Sequence, residues 1–154
     1  MIRKITSSPS DREMFLKLAE EFYHSPAVEH PVPRQNLERT YQEIITRDTY
    51  AEGYFLEYSG IIVGYALLSK TFSQEAGGIV VWIEELYLLP SYRSLGLGRA
   101  FFQFVHERFP NAARLRLEVE KDNTRAISLY EKMGFSVLPY EQMIKESNNP
   151  QKEG

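Results

Sequence analysis

Apolar and polar positions change period several times along the chain, and each change marks an element. Ile2 and Ile5 stand among basic and hydroxyl neighbours, which predicts a short first strand. Behind Ser10-Asp11-Arg12-Glu13, which has the serine-to-glutamate spacing of a capping box, Phe15, Leu18, Ala19 and Phe22 recur at helical spacing. A first helix is expected over roughly residues 11–23. From Tyr23 to Pro33 three prolines exclude a regular helix, and the segment is expected to be an ordered loop rich in aromatic, histidine and hydroxyl groups. Leu37, Tyr41, Ile44 and Ile45 then share one face of a second helix, roughly 35–47.

Strand-like runs follow. Tyr54 to Tyr58 and Ile61 to Leu68 flank Ser59-Gly60, a two-residue connection suited to a hairpin. The polar stretch from Ser73 to Gly78 predicts another turn, and the apolar run Ile79 to Leu89 a third antiparallel strand that stops at Pro90. Ala100, Phe101, Phe104, Val105 and Phe109 fall at helical spacing, so a third helix is expected from about Leu97 to before Pro110. Leu115 to Val119 alternates as a strand, and Asn123-Thr124 opens a fourth helix closed at Gly134. Phe135 to Leu138 and Gln142 to Ile144 are expected as short closing strands. The predicted order is β-α-α-β-β-β-α-β-α-β-β, an α/β fold on one mostly antiparallel sheet flanked by helices. One domain is expected over residues 1–146, with a polar tail over 147–154.

Composition narrows the chemistry. With 154 residues, 43% hydrophobic and 25% charged, the chain has the composition of an ordinary globular domain. A formal net charge of −3 argues against a nucleic-acid surface, and no apolar run is long enough to span a membrane. The absence of cysteine excludes thiolate nucleophiles, disulfides and Cys-based zinc sites, and the three dispersed histidines lack ligand spacing, so no metal is expected. The N-terminus lacks the apolar core of a signal peptide, which makes the cytoplasm the expected location.

Glu84 to Arg99 carries most of the candidate chemistry. The apolar strand carries two adjacent carboxylates, Pro90 stops it, and Arg93-Ser94-Leu95-Gly96-Leu97-Gly98-Arg99 opens a helix. Glycines there let backbone N–H groups approach a ligand at a helix N-terminus, a geometry that suits a phosphate or pyrophosphate. A dinucleotide fingerprint fits less well, because the spacing lacks G-x-G-x-x-G and the preceding strands are antiparallel.

Arg93 to Gly98 after an apolar strand, followed by Asn123-Thr124-Arg125-Ala126-Ile127-Ser128-Leu129-Tyr130-Glu131-Lys132-Met133-Gly134-Phe135, resembles the GNAT superfamily of N-acetyltransferases over nearly the whole chain. The resemblance implies acetyl-CoA as acetyl donor. Backbone amides of Ser94, Leu95, Gly96, Leu97, Gly98 and Arg99 would then hold its pyrophosphate beside Arg93. Its pantetheine arm would add as a strand along Leu86, Tyr87 and Leu88, where the fourth and fifth strands splay. Asn123 would reach the pantetheine, and Tyr130 would sit near the thioester sulfur as general acid. A homodimer is compatible with the family.

Transfer to an amine needs a base to make the amine neutral and an acid for the departing thiolate. Ile83-Glu84-Glu85-Leu86-Tyr87 resembles the acidic pair of diamine and polyamine acetyltransferases of the superfamily, which favours Glu84 as base, with Glu85 as the alternative. Strand alternation sends the two carboxylates to opposite faces unless a bulge intervenes. Tyr23, Val28, Trp82 and Glu84, with His24 and His30 in the Pro-rich loop, are candidates to line a pocket for a cationic acceptor. The resulting expectation is direct acetyl transfer from acetyl-CoA to a primary amine, a small-molecule amine or polyamine ahead of a peptide or protein amine. The alternative is a binding module that holds acyl-CoA without turnover.

Overall fold

The computed structural model describes residues 1–26, 28 and 31–147. The chain forms two compact units, Met1–Glu118 and Val119–Gly154.

In the first unit the elements follow as β1 (Ile2–Lys4), α1 (Pro9–Tyr23), α2 (Arg34–Thr46), β2 (Ala51–Tyr58), β3 (Ile61–Ser73), β4 (Gly78–Leu88), a short 3-10 turn (Pro90–Tyr92), α3 (Leu97–Arg108) and β5 (Arg114–Leu117). The strands lie in the order β1-β2-β3-β4-β5. All neighbours are antiparallel except β4 and β5, which run parallel because α3 carries the chain back between them. The hairpin turn expected at Ser59-Gly60 has both φ angles positive, +52° and +79°, the backbone sense that matches strand twist.

Both sheet faces are covered, which is why β2, β3 and β4 read as nearly continuous apolar runs. Adjacent residues on β2 show the division. Phe55 joins Phe15 and Leu18 of α1 and Leu37, Tyr41 and Ile44 of α2 in one buried cluster, together with Tyr65 and Tyr87. Tyr54 points the other way, its ring 4.9 Å from that of Phe104 on α3. Beneath it Glu52, fully buried, receives Lys70 at 2.8 Å, Tyr54 at 2.5 Å and Arg108 at 3.2 Å.

The first helix begins earlier than its expected capping box. Ser8 is the cap, its Oγ accepting the Asp11 N–H at 3.1 Å, and Pro9 takes the first helical position, where its fixed φ fits and no N–H is needed. Asp11, buried, is thereby free to accept Arg3 through both oxygens, at 2.9 and 3.0 Å, together with the Thr6 N–H and hydroxyl.

In the second unit α4 (Thr124–Lys132) is capped by Asn123, whose Oδ1 accepts the Ala126 N–H at 3.2 Å, and Gly134 follows it with φ +96°. The closing strands expected at 135–138 and 142–144 are absent among the described residues, and Val137, Met143 and Ile144 are 76%, 95% and 84% exposed. Alternation creates a strand only where a ladder partner exists. The backbone bonds here are local instead, Phe135 N–H to Tyr130 and Tyr140 N–H to Leu138.

Candidate active site

Three features of the first unit converge around β4. The first is a bulge. Leu67 of β3 stands opposite Glu85, but its neighbour Leu68 stands opposite Ile83, so Glu84 is the extra residue in β4. A bulge sends two successive side chains to one face. Glu84 accepts the Ser69 hydroxyl at 2.5 Å, and Glu85 accepts the Tyr65 hydroxyl at 2.7 Å. Ser69 and Tyr65 lie four residues apart on β3 and share a face, so both carboxylates sit on the α1–α2 side of the sheet.

The two acids differ in environment. Glu84 is exposed. Glu85 is half-buried, and the Tyr23 hydroxyl at the end of α1 donates to its second oxygen. Burial raises the Glu85 pKa above the ordinary carboxylate range, the two tyrosine hydroxyls opposing it only in part. Burial and the neighbouring carboxylate likewise raise the Tyr23 and Tyr65 pKa values, so both hydroxyls stay protonated donors. Trp82 lies on the same face, because it stands opposite Ser69, and the Arg116 guanidinium rests 4.1 Å from its ring centroid.

The second feature is an open edge. β5 accompanies β4 only from Val80 to Ile83. Beyond that point β4 has no strand partner on this side among the described residues. Leu89 N–H bonds to Val63 O at 2.9 Å, so by ladder alternation Tyr87 and Glu85 also turn their backbone groups to β3. The backbone groups of Leu86 and Leu88 point to the open side, where Leu88 O accepts Arg93 Nε at 3.0 Å. Tyr87 contributes its side chain to the buried cluster instead, with Arg93 5.8 Å from its ring.

The third is the start of α3. Gly96, the N-cap, has φ +83°, and among the described residues no side chain caps the helix, so the first-turn N–H groups of Leu97, Gly98 and Arg99 have no helical acceptor. Ser94 also has positive φ, +65°. Beyond its chain neighbours and the helix's own backbone, a Cβ built on Gly98 meets nothing among the described residues closer than Leu86 Cδ2 at 3.9 Å, so their packing does not require glycine there. A phosphate seated on the bare N–H groups does require that room, and the residues fit a pyrophosphate on this ground. Ser94, Leu95, Gly96 and Arg99 are exposed.

The remaining sequence candidates are dispersed. His24 is exposed at the end of α1, its Nδ1 at 2.7 Å from Glu20 O. Val28 is half-buried, and His30 lies outside the described residues. In the second unit Asn123 uses Oδ1 as a helix cap, and Tyr130 is half-buried with its pKa raised by that burial, its ring 6.0 Å from Phe135. Tyr65, Ser69 and Arg116 carry no motif, and only the strand register brings them to Glu84, Glu85 and Trp82. Among the described residues no group of three metal-ligating side chains occurs, and no helix is long and apolar enough to cross a membrane.

Comparison with known proteins gives concordant results. Thialysine N-epsilon-acetyltransferase of Mus musculus is 33% identical over 80 residues, a match that takes in 51% of this chain and 46% of the mouse protein. The chain thus spans about half the length of the curated relative it matches. Among solved structures, a possible acetyltransferase from Clostridium difficile 630 has a TM-score of 0.79 at 17% identity, covering 97% of this chain and 98% of that one. AAC(6')-Iy in complex with the bisubstrate analogue CoA-S-monomethyl-acetylneamine has a TM-score of 0.76 at 16% identity, covering 96% and 97%. Both structural likenesses are of fold. The acetyltransferase (GNAT) family model matches residues 13–135, across most of the chain, and this chain belongs to that family.

Proposed function

We propose that this protein is an N-acetyltransferase that moves an acetyl group from acetyl-CoA directly to a primary amine, and that Glu85 is its general base. The observation that carries the reading is the β4 bulge. It brings both carboxylates to one face immediately before the open backbone edge at Leu86 and Leu88.

When bound, acetyl-CoA supplies the acetyl group as a thioester; the acetyl passes to the amine nitrogen as the carbon–sulfur bond breaks, leaving an N-acetyl amine and the free thiol. The Leu86 and Leu88 backbone groups orient the pantetheine arm, and the N–H groups from Ser94 to Arg99, with the Arg93 and Arg99 charges, hold the pyrophosphate. On the family pattern, Asn123 would also reach the pantetheine. Glu84, exposed, attracts the acceptor's ammonium to the Trp82 face. Glu85 removes one proton from that ammonium so that a lone pair becomes available, and its raised pKa makes it a stronger base than an ordinary carboxylate. On the family pattern Tyr130, kept protonated by burial, would donate a proton to the departing sulfur and be restored by the second proton that the nitrogen sheds on becoming an amide.

Incubation with acetyl-CoA and a panel of primary amines, followed by free-thiol release, tests the reading. Turnover with at least one amine, lost in Glu85→Gln, is the expected result. Calorimetric binding of CoA without turnover of any amine would assign the chain to acyl-CoA binding alone, and absence of CoA binding would remove the cofactor site as well.

A further inference from the structure

Several arginines of the first unit pair with acids: Arg3 with Asp11 and Glu57, Arg108 with Glu52, Arg114 with Glu75. Arg116, two residues after Arg114 on β5, is half-buried yet makes no ion pair among the described residues. Its interaction is with Trp82, its register partner across the parallel β4–β5 ladder, at 4.1 Å from the ring centroid. The strand register puts Trp82 on the sheet face that also carries Glu84 and Glu85. One face of β4 and β5 thus presents two carboxylates and, displaced along the strands from them, one guanidinium with no counter-charge among the described residues.

A guanidinium stacked on an indole is held flat, and its N–H edges stay free for a planar anion. Trp82 and Glu84 are two residue steps apart along β4, about 7 Å of rise in an unbulged strand and less across the bulge, so the acidic and basic ends of this face lie several Å apart. A purely cationic acceptor such as a polyamine would meet the acids but would bring a second positive charge toward Arg116. An acceptor with an amine at one end and a carboxylate at the other satisfies both. On the basis of the acetyl-transfer reading above, we propose that Arg116 is an anion subsite and that the acceptor is an amino-carboxylate, its amine directed to Glu84 and Glu85 and its carboxylate held by Arg116.

Three acceptors of one chain length isolate the charge: ε-aminocaproate, hexylamine and hexamethylenediamine. The wild-type protein is expected to prefer ε-aminocaproate in kcat/KM. Arg116→Gln is expected to raise the KM for ε-aminocaproate about 10- to 100-fold, the range for loss of a charge-assisted pair, with kcat kept and hexylamine unaffected. Removing the positive charge is also expected to improve hexamethylenediamine. Equal loss for all three acceptors would assign Arg116 to holding Trp82, and a wild-type preference for the diamine would overturn the proposal. Calorimetric titration of ε-aminocaproate into the CoA-saturated wild type and Arg116→Gln reads the subsite without turnover. If no amine is acetylated, Arg116-dependent binding there still supports the anion subsite while the transferase reading falls. If Arg116→Gln binds ε-aminocaproate as the wild type does, the subsite itself is overturned.

Discussion

Glu85 is held where its own ionisation is disfavoured, and this gives it a measurable signature. Its pKa is raised in the folded state, so the fold binds its proton more tightly than the unfolded chain does. The resulting stability is complete below the unfolded glutamate pKa of about 4.3 and is lost as pH rises through the folded value. Glu85→Gln should therefore melt higher than wild type at neutral pH, with the gap closing toward pH 4, while kcat falls about 10²- to 10⁴-fold. A thermal melt series across pH beside the thiol assay checks both; a variant that is less stable at pH 7 contradicts the account. For wild type, kcat/KM should rise with pH through the raised carboxyl value. Asp11 is the opposite case: hydrogen bonding from Arg3, reinforced by Thr6, lowers its pKa to about 2. Its contribution is present above about pH 3.9 and lost as pH falls toward 2. Asp11→Ala should cost about 2 kcal/mol at pH 7, less than breaking a fully enclosed pair because Arg3 keeps an exposed edge, and denaturant unfolding at pH 7 and pH 2.5 should show the difference shrinking. Neither environment is legible in sequence, since Glu84 and Glu85 are adjacent and chemically alike, and only burial separates them.

Between β4 and α3 the sequence signal is much stronger. Pro90 and the glycines at 96 and 98 mark the break and the helix start by local steric rules, and the structure has its turn at Pro90–Tyr92 and its helix from Leu97. The two glycines nevertheless differ. Gly96 has φ +83°, so Gly96→Ala should cost about 1–2 kcal/mol of stability. Gly98 has no such backbone demand and no close neighbour, so Gly98→Ala should leave stability unchanged or slightly higher, since alanine favours the helix. The same change should weaken CoA binding at least 10-fold, because a methyl group would enter the phosphate's space. Melting and CoA titration of Gly98→Ala separate the effects, and unchanged CoA affinity would remove Gly98 from the cofactor site. The elements that sequence overstates are the closing strands at 135–138 and 142–144, where alternation has no ladder to join.

At the scale of the whole molecule, the proposed cofactor role predicts linkage. CoA at about 100 times its Kd should add about 2.7 kcal/mol and raise Tm by about 5–10 °C for a chain of this size, and a melt without that shift would count against the cofactor site. Element order as far as α4, the hairpin at Ser59-Gly60, the glycine turn before α3 and the Asn123 cap of α4 follow from residue type and spacing. Each rests on local sterics, hydrogen-bond chemistry or periodicity within a few residues. The site's wiring does not. A single unpaired residue in β4 places Glu84 and Glu85 on one face, the β3 register brings Tyr65 and Ser69 to them, the end of α1 brings Tyr23, and β5 lays Arg116 on Trp82. Register and bulges depend on pairing between segments far apart in the chain, and a slip of one residue inverts every face. The sequence by itself therefore determined which residues were available for chemistry, and the tertiary structure decided which of them meet.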